Sequence, residues 1–417
     1  MSAGINTARR VVLRLRVVPV ALISLAAGLG PVIPAQAAAH TSSVGSFSGR
    51  ALSKGTAYVV NGDSGTVTPI ATATNTAGPP IPVGSDPGVI AITPDGKTAY
   101  IANRGSGTVT PIATATNTAG PPITVGSYPD AIAITPDGRT AYVVSGDSGT
   151  VTPIATATST AGPPITVGSY PDAIAITPDG RTAYVTNWTS GTVIPIATAT
   201  NTAGPSIPVG VNPNFVAITP DGKTAYVENW TSGTVTPIAT ATNTAGPSIP
   251  VGSGPGYLAI TPDGKTAYVA SINSGTVTPI ATATNTADPP IPLGLDPYFI
   301  AITPDGKTAY VAKGGGSETV IPIATATNTA GPPIPAGPGV IAITPDGKTA
   351  YIADGPAGTV TPIATATNTA GPPIPVGTDP FWIAITPGHR HSRGRHHQRL
   401  RQHAHSPEAA GSRQVAR

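Results

Sequence analysis

The residues able to do chemistry in this chain are few. There is no cysteine, so thiolate metal sites, cysteine nucleophiles and redox pairs are excluded. Between Thr41 and Pro387 there is no histidine either. That leaves carboxylates, one out-of-pattern arginine and a set of aromatic rings. Arg104 and Glu228 are isolated charges, three repeats apart. Acid–base catalysis needs positioned proton donors and acceptors with oxyanion stabilisation, and two isolated charges do not supply it. Asp86, Asp130, Asp172, Asp296 and Asp379 all lie beside a proline. They could form a loose acidic ring around an oxygen-seeking cation. The alternative is that they stabilise turns. Aspartates 95, 137, 179, 221, 263, 305 and 346 each sit in a PDG turn and read as structural.

The elements that must position these residues follow from a period. Tyr58 recurs as Tyr100, Tyr142, Tyr184, Tyr226, Tyr268 and Tyr310, each 42 residues after the last, and then as Tyr351 after 41. A representative unit, residues 87–126, divides at its turn signals into four short β-rich runs. VIAIT is closed by PDG, in which proline pre-sets one φ and glycine accepts a positive one. TAYIAN is closed by GSG, TVTPIAT by NTAGPP, and ITVG ends the unit. Four short strands in about 42 residues are a propeller blade. Helix is not competitive: there is no 3.6-residue pattern, and 49 glycines and 49 prolines punctuate the chain. A parallel β-solenoid would use shorter coils, and disorder would not keep regular Val, Ile and Tyr runs.

The expectation is therefore an all-β propeller of four-stranded blades, eight by preference and seven as the alternative. The Tyr strand and the strand after it occur eight times, and so does the IAIT-like strand. The first Tyr strand, 56–60, has no clear IAIT partner before it. The last IAIT, 383–386, is expected to lie beside it and close the ring, which removes open edges. Residues 45–52, GSFSGRAL, are an alternative source for that strand. The tyrosines themselves read as blade packing.

At the Tyr strand the sequence Tyr184-Val185-Thr186-Asn187 spells YVTN, with YVVN at 58, YIAN at 100, YVEN at 226 and YVAS at 268. With repeated TPDGK and IPVG, the chain resembles the YVTN family of secreted or surface β-propellers. The resemblance covers about 56–387. It implies kinship with a wider seven-bladed group that includes lactonases and dehydrogenase-like propellers. The third strand departs from that family: proline stands within it at Pro69 and its later equivalents, and the family's aspartate is alanine. Proline removes a ladder donor, so either a bulge sits there or the fourth strand pairs only partly.

Strand alternation divides the loops between two faces. The PDG and ATATNTAG turns barely vary. The loops before the first strand and after the Tyr strand do, and the rare residues collect there. They are Arg104, Tyr128, Tyr170, Trp188, Phe215, Trp230, Tyr257, Tyr298, Phe299 and Trp382, together with Phe381 and Glu228. Loops on a rigid scaffold commonly bind, and aromatics offer large contact area. This face, near the central channel, is the expected ligand-binding face. The alternative is that these rings fill the wide end of the ring. Asn187-Trp188-Thr189 and Asn229-Trp230-Thr231 are also glycosylation sequons by pattern.

Residues 1–39 read as an export signal. Arg9, Arg10, Arg14 and Arg16 precede an apolar run from Val17 to about Leu29, and Ala35 and Ala37 offer a cleavage site. An uncleaved anchor is the alternative. Residues 40–387 are the propeller. Residues 388–417 hold seven arginines and six of the seven histidines. They begin where every earlier repeat continues DGK or DGR, so they are either a sticky, disordered basic tail or the product of a frame change. From Ala39 to Pro387 the chain has 11 Lys/Arg and 18 Asp/Glu, a net of about −7, which argues against nucleic acid as a partner. The expected function is a secreted or cell-surface binding scaffold for protein or glycan. It would be non-catalytic and monomeric, need no cofactor or metal, and have no membrane contact after signal cleavage. A lactonase-like or metal-dependent hydrolase and a structural envelope protein are the alternatives.

Overall fold

The computed structural model describes residues 55–387 apart from residue 295. The leader, residues 45–52 and the tail lie outside the described residues. Eight antiparallel sheets form eight blades. The first strands of neighbouring blades touch one another all the way round, so they form the inner ring about a central channel. Blade 2 shows the pattern. Its inner strand is Pro87–Ile92, followed by Thr98–Asn103, then Thr108–Ala113. The outer strand is split into Thr118–Ala119 and Ile123–Thr124, both paired with the third strand.

The split answers the question of the proline. Pro111 lies opposite Tyr100 in the ladder, and its carbonyl accepts the Gly120 amide at 2.8 Å. The edge where proline lacks a donor therefore faces outward. There the outer strand is interrupted by Gly120, Pro121 and Pro122, between its two paired pieces. No ladder hydrogen bond is lost to the missing N–H. The NTAG segment is thus part strand, not purely turn.

Blade 1 closes the ring. Its inner strand is the last among the described residues, Pro380–Ile385, which pairs with Thr56–Asn61 in the register Tyr58↔Ala384 and Val59↔Ile383. Eight blades and closure by the final IAIT strand are as the repeat count predicts. Joining the first and last strands removes both sheet edges at the seam.

The YVTN spelling acquires a physical meaning here. Each repeat tyrosine is fully buried and reaches into the next blade. The Tyr58 hydroxyl donates to Asn117 Oδ1 at 2.6 Å, and Tyr351 reaches Asn75 Oδ1 across the seam at 2.5 Å. The accepting asparagines hold φ near +54°, a conformation asparagine tolerates better than most residues. Each such bond contributes roughly 1 kcal/mol. The asparagine of YVTN latches the opposite face: Asn229 Oδ1 accepts the Gly210 amide at 2.9 Å while its Nδ2 donates to Thr236 Oγ1 at 2.9 Å.

Candidate functional site

Seven of the eight inner strands carry a bulge at the same place. In blade 2, Pro87 pairs with Asn103 and Val89 with Ala102, so Gly88 is extra. The equivalent residues are Asp130, Asn214, Gly256, Tyr298 and Phe381. In blade 4 the shift spans Asp172 and Ala173. A bulge re-aims its side chain, and here the re-aimed side chains converge on the axis. Arg104 of blade 2 reaches Asp130 of blade 3, lies over the Phe381 ring of blade 1 at 4.9 Å and over Tyr128 at 5.7 Å.

The channel mouth is not symmetric, although the blades nearly are. Phe215, Tyr257, Phe299 and Trp382 occupy one equivalent position in blades 5, 6, 7 and 1. Their rings form a continuous chain with centroids 5.9, 4.8 and 6.1 Å apart. Tyr298 packs edge-on against Tyr257 at 5.4 Å, and their hydroxyls interact. In blades 2, 3 and 4 the same position holds Val89, Ala131 and Ala173. Into the room those small residues leave come Arg104, Asp130 and Asp172. Gly88 is required for this: a Cβ there would meet Arg104 Nε at 2.6 Å.

Arg104 Nε donates to Asp130 Oδ1 at 2.7 Å, with both side chains 4% exposed. Arg104 Nη2 has no partner. Burial pushes the Asp130 carboxyl up to about 6, with the guanidinium pulling the other way. Asp172 is 1% exposed, and neither of its oxygens has a partner. Burial, and then the charge of Asp130, raise it well above the usual carboxylate range. Glu228 is buried without a partner for either oxygen, and burial raises it likewise. Its charge and that of Asp172 both act on Tyr257.

Two sequence readings are corrected. Arg104 is not isolated, because the next blade supplies its counter-charge; Glu228 stays, as read, without a partner for either side-chain oxygen. The five proline-flanking aspartates are not one ring. Asp86, Asp296 and Asp379 precede the proline and hold φ of 50–55°. They make turns, as the local reading has it. Asp130 and Asp172 follow the proline and occupy the bulge. Among the described residues there is no group of three or more His, Cys, Asp or Glu able to hold a metal ion.

The aromatic residues of the variable face divide by depth. Phe215, Trp230, Tyr257, Phe299 and Trp382 are buried, as is Arg104. Tyr128, Tyr170, Trp188 and Tyr298 are half-buried at the mouth. Much of the aromatic set is therefore core of the channel. The loops carrying them are tied in pairs: the amides of Arg104, Trp188 and Trp230 donate to the carbonyls of Asp86, Tyr170 and Asn212 at 2.8 to 3.0 Å. Asn187 and Asn229 of the sequons are buried, which closes them to glycosylation. Asn214, a bulge residue with an unpartnered Oδ1, was not singled out by the sequence. Its signal was there: it takes the place of Asp130 and Asp172 in the repeat.

No family model and no curated protein matches the chain. Solved structures do. Hydrazine synthase of Kuenenia stuttgartiensis is 27% identical, over 67% of this chain and 96% of that one, with a TM-score of 0.57. The dihydro-heme d1 dehydrogenase NirN is 16% identical over 81% and 76%, with a TM-score of 0.71. A putative 6-phosphogluconolactonase from Bacteroides uniformis is 17% identical over 67% and 95%, with a TM-score of 0.55. These place the chain among β-propellers, a scaffold able to bind ligand or substrate.

Proposed function

We propose that this protein is an exported propeller hydrolase that opens lactones or related esters at the channel mouth on its variable-loop face. The buried Arg104–Asp130 pair with an unpartnered Nη2 carries this reading. Asp130, pushed up to about 6, has the strength of a general base working near neutral pH. With Oδ1 held by Arg104 Nε, its Oδ2 takes the proton of an attacking water. The hydroxide oxygen bonds to the carbonyl carbon, and Arg104 Nη2 donates to the resulting oxyanion. Collapse breaks the ester C–O bond, and the proton on Asp130 passes to the leaving alkoxide. The likeness in fold to two putative 6-phosphogluconolactonases agrees with this chemistry.

The YVTN spelling supports membership of that family of surface propellers. The basic leader followed by an apolar run supports export to a secreted or cell-surface location. Among the described residues no helix is long and apolar enough to cross a membrane.

The test is turnover of a panel of sugar lactones and p-nitrophenyl esters by the full chain. We expect Asp130→Asn to lower kcat by about 10²–10⁴-fold with an unchanged circular dichroism spectrum. The kcat/KM of the unaltered protein should rise with pH through about 6. No turnover above buffer, or full activity in Asp130→Asn, would overturn the proposal. The second reading, a non-catalytic scaffold for a protein or glycan, is favoured by the half-buried rings of Tyr128, Tyr170 and Trp188. Under it, Tyr170→Ala and Trp188→Ala abolish binding of that partner and Asp130→Asn does not.

A further inference from the structure

The polar atoms left without partners around the channel are almost all acceptors. Both oxygens of Asp172, the Asn214 amide oxygen and both oxygens of Glu228 are buried with no donor. Asn61 Oδ1 and Asn187 Oδ1 are further unpartnered acceptors among the described residues, against one obligate donor, Arg104 Nη2, and one hydroxyl able to do either, Ser145 Oγ. Buried polar groups are normally satisfied, so the mismatch says what is wanted there: donors and positive charge. Asp172 and Asn214 are bulge residues of consecutive blades, and Asn214 Nδ2 is committed to the Pro255 carbonyl at 3.3 Å.

A second observation agrees. All but one of the chain's 19 acidic residues, Glu408, are described. Seven sit in PDG turns, each within 4.0 Å of its own Lys or Arg. Asp288 follows the outer-strand piece Thr286–Ala287. The remaining ten lie on the variable-loop face or in the channel, where the cations among the described residues are Arg104 and Lys313. The field at the mouth therefore attracts cations and repels anions.

We propose that Asp172 and Asn214 form a seat for a protonated amine, the cationic end of the molecule that this site takes. A primary ammonium brings three donors and one charge to three acceptor oxygens. The half-buried ring of Tyr170, which feels the charge of Asp172, favours an organic cation through its π face. A bare metal ion is less suited, since among the described residues no third carboxylate joins the two aspartates. This rests on the hydrolytic reading only in calling the amine part of a substrate; the seat uses neither Arg104 nor Asp130 as a ligand, although the charges of both reach Asp172.

The experiment is calorimetric titration of the full chain with propylammonium, its neutral counterpart 1-propanol, and calcium chloride. Propylammonium should bind saturably and 1-propanol should not. Asp172→Asn, which keeps the shape and removes the charge, should weaken propylammonium about tenfold or more. Asn214→Leu should weaken it in the same direction, and Asp296→Asn, in a turn on the same face, should not. Equal binding of 1-propanol, indifference to Asp172→Asn, or calcium competing for the seat would each overturn the inference. The two proposals fail separately. Ammonium binding without any ester turnover sinks the hydrolase and keeps the seat. Turnover with equal KM for an amine-bearing ester and its neutral analogue sinks the seat and keeps the hydrolase.

Discussion

Asp95 and Asp130 lie on opposite faces of neighbouring blades and have opposite surroundings. Asp95, in an invariant PDG turn, accepts from Thr93 Oγ1 at 2.7 Å and the Lys97 amide at 3.1 Å, and stays half exposed. Those donors, led by the Thr93 hydroxyl, hold it down at about 2. Asp130 has one charged partner and almost no solvent, and is pushed up to about 6. Asp137 and Asp179 repeat the Asp95 pattern, with the hydroxyls of the equivalent threonines, Thr135 and Thr177, as the leading cause. One face uses aspartate to finish a turn, where water and local donors make ionisation easy. The other holds it where ionisation is costly, which makes its proton useful at neutral pH.

The contrast can be broken most severely at the ion pair. Arg104→Ala strips the buried carboxylate of its partner and should destabilise the fold by about 3–5 kcal/mol, read by denaturant unfolding. A loss below about 1 kcal/mol would place the pair in contact with water. The matching change on the other face, Lys97→Ala, removes one member of an exposed pair and comes last in size.

Between these lies the pH dependence, which should have opposite sign on the two faces. The folded Asp130 carboxyl is raised above its ordinary 3.8. Its contribution is fully present below that value and is lost as pH rises through about 6. Asp130→Asn should flatten that decline. The folded Asp95 carboxyl is depressed, so its contribution is present above 3.8 and lost as pH falls through about 2. Asp95→Asn should remove that acid loss and leave the neutral range alone. Urea midpoints measured from pH 2 to 8 check both, and equal slopes in the two variants would erase the distinction. The smallest effect is Lys97→Ala, within about 0.5 kcal/mol and vanishing in 1 M salt.

The blades were legible because their signals are local and repeated. PDG turns, the GSG reversal and the β-rich runs each declare themselves within a few residues. The closing strand was legible by counting, since an IAIT run without a Tyr strand after it matches a Tyr strand without an IAIT run before it. The interrupted outer strand was half legible: Pro69 and its equivalents foretold incomplete pairing. The channel was not legible. Asp86 and Asp130 both adjoin a proline, yet an offset of two residues, from before the proline to after it, sends the first into a turn at φ 50° and the second into the bulge.

What the sequence determined by itself is the architecture: the period, the strands, the turns and the seam. Backbone conformation there answers to nearest neighbours along the chain, and eight near-copies repeat the same instruction. Only the tertiary structure decided which side chains meet at the axis. Arg104 finds Asp130 in the next blade, the large rings of blades 5, 6, 7 and 1 meet in a chain, and Asp172 is left with open oxygens. Each of these depends on bulges that re-aim side chains and on a ring that closes around them. A residue's place in its own repeat does not say what the facing blades will put opposite it.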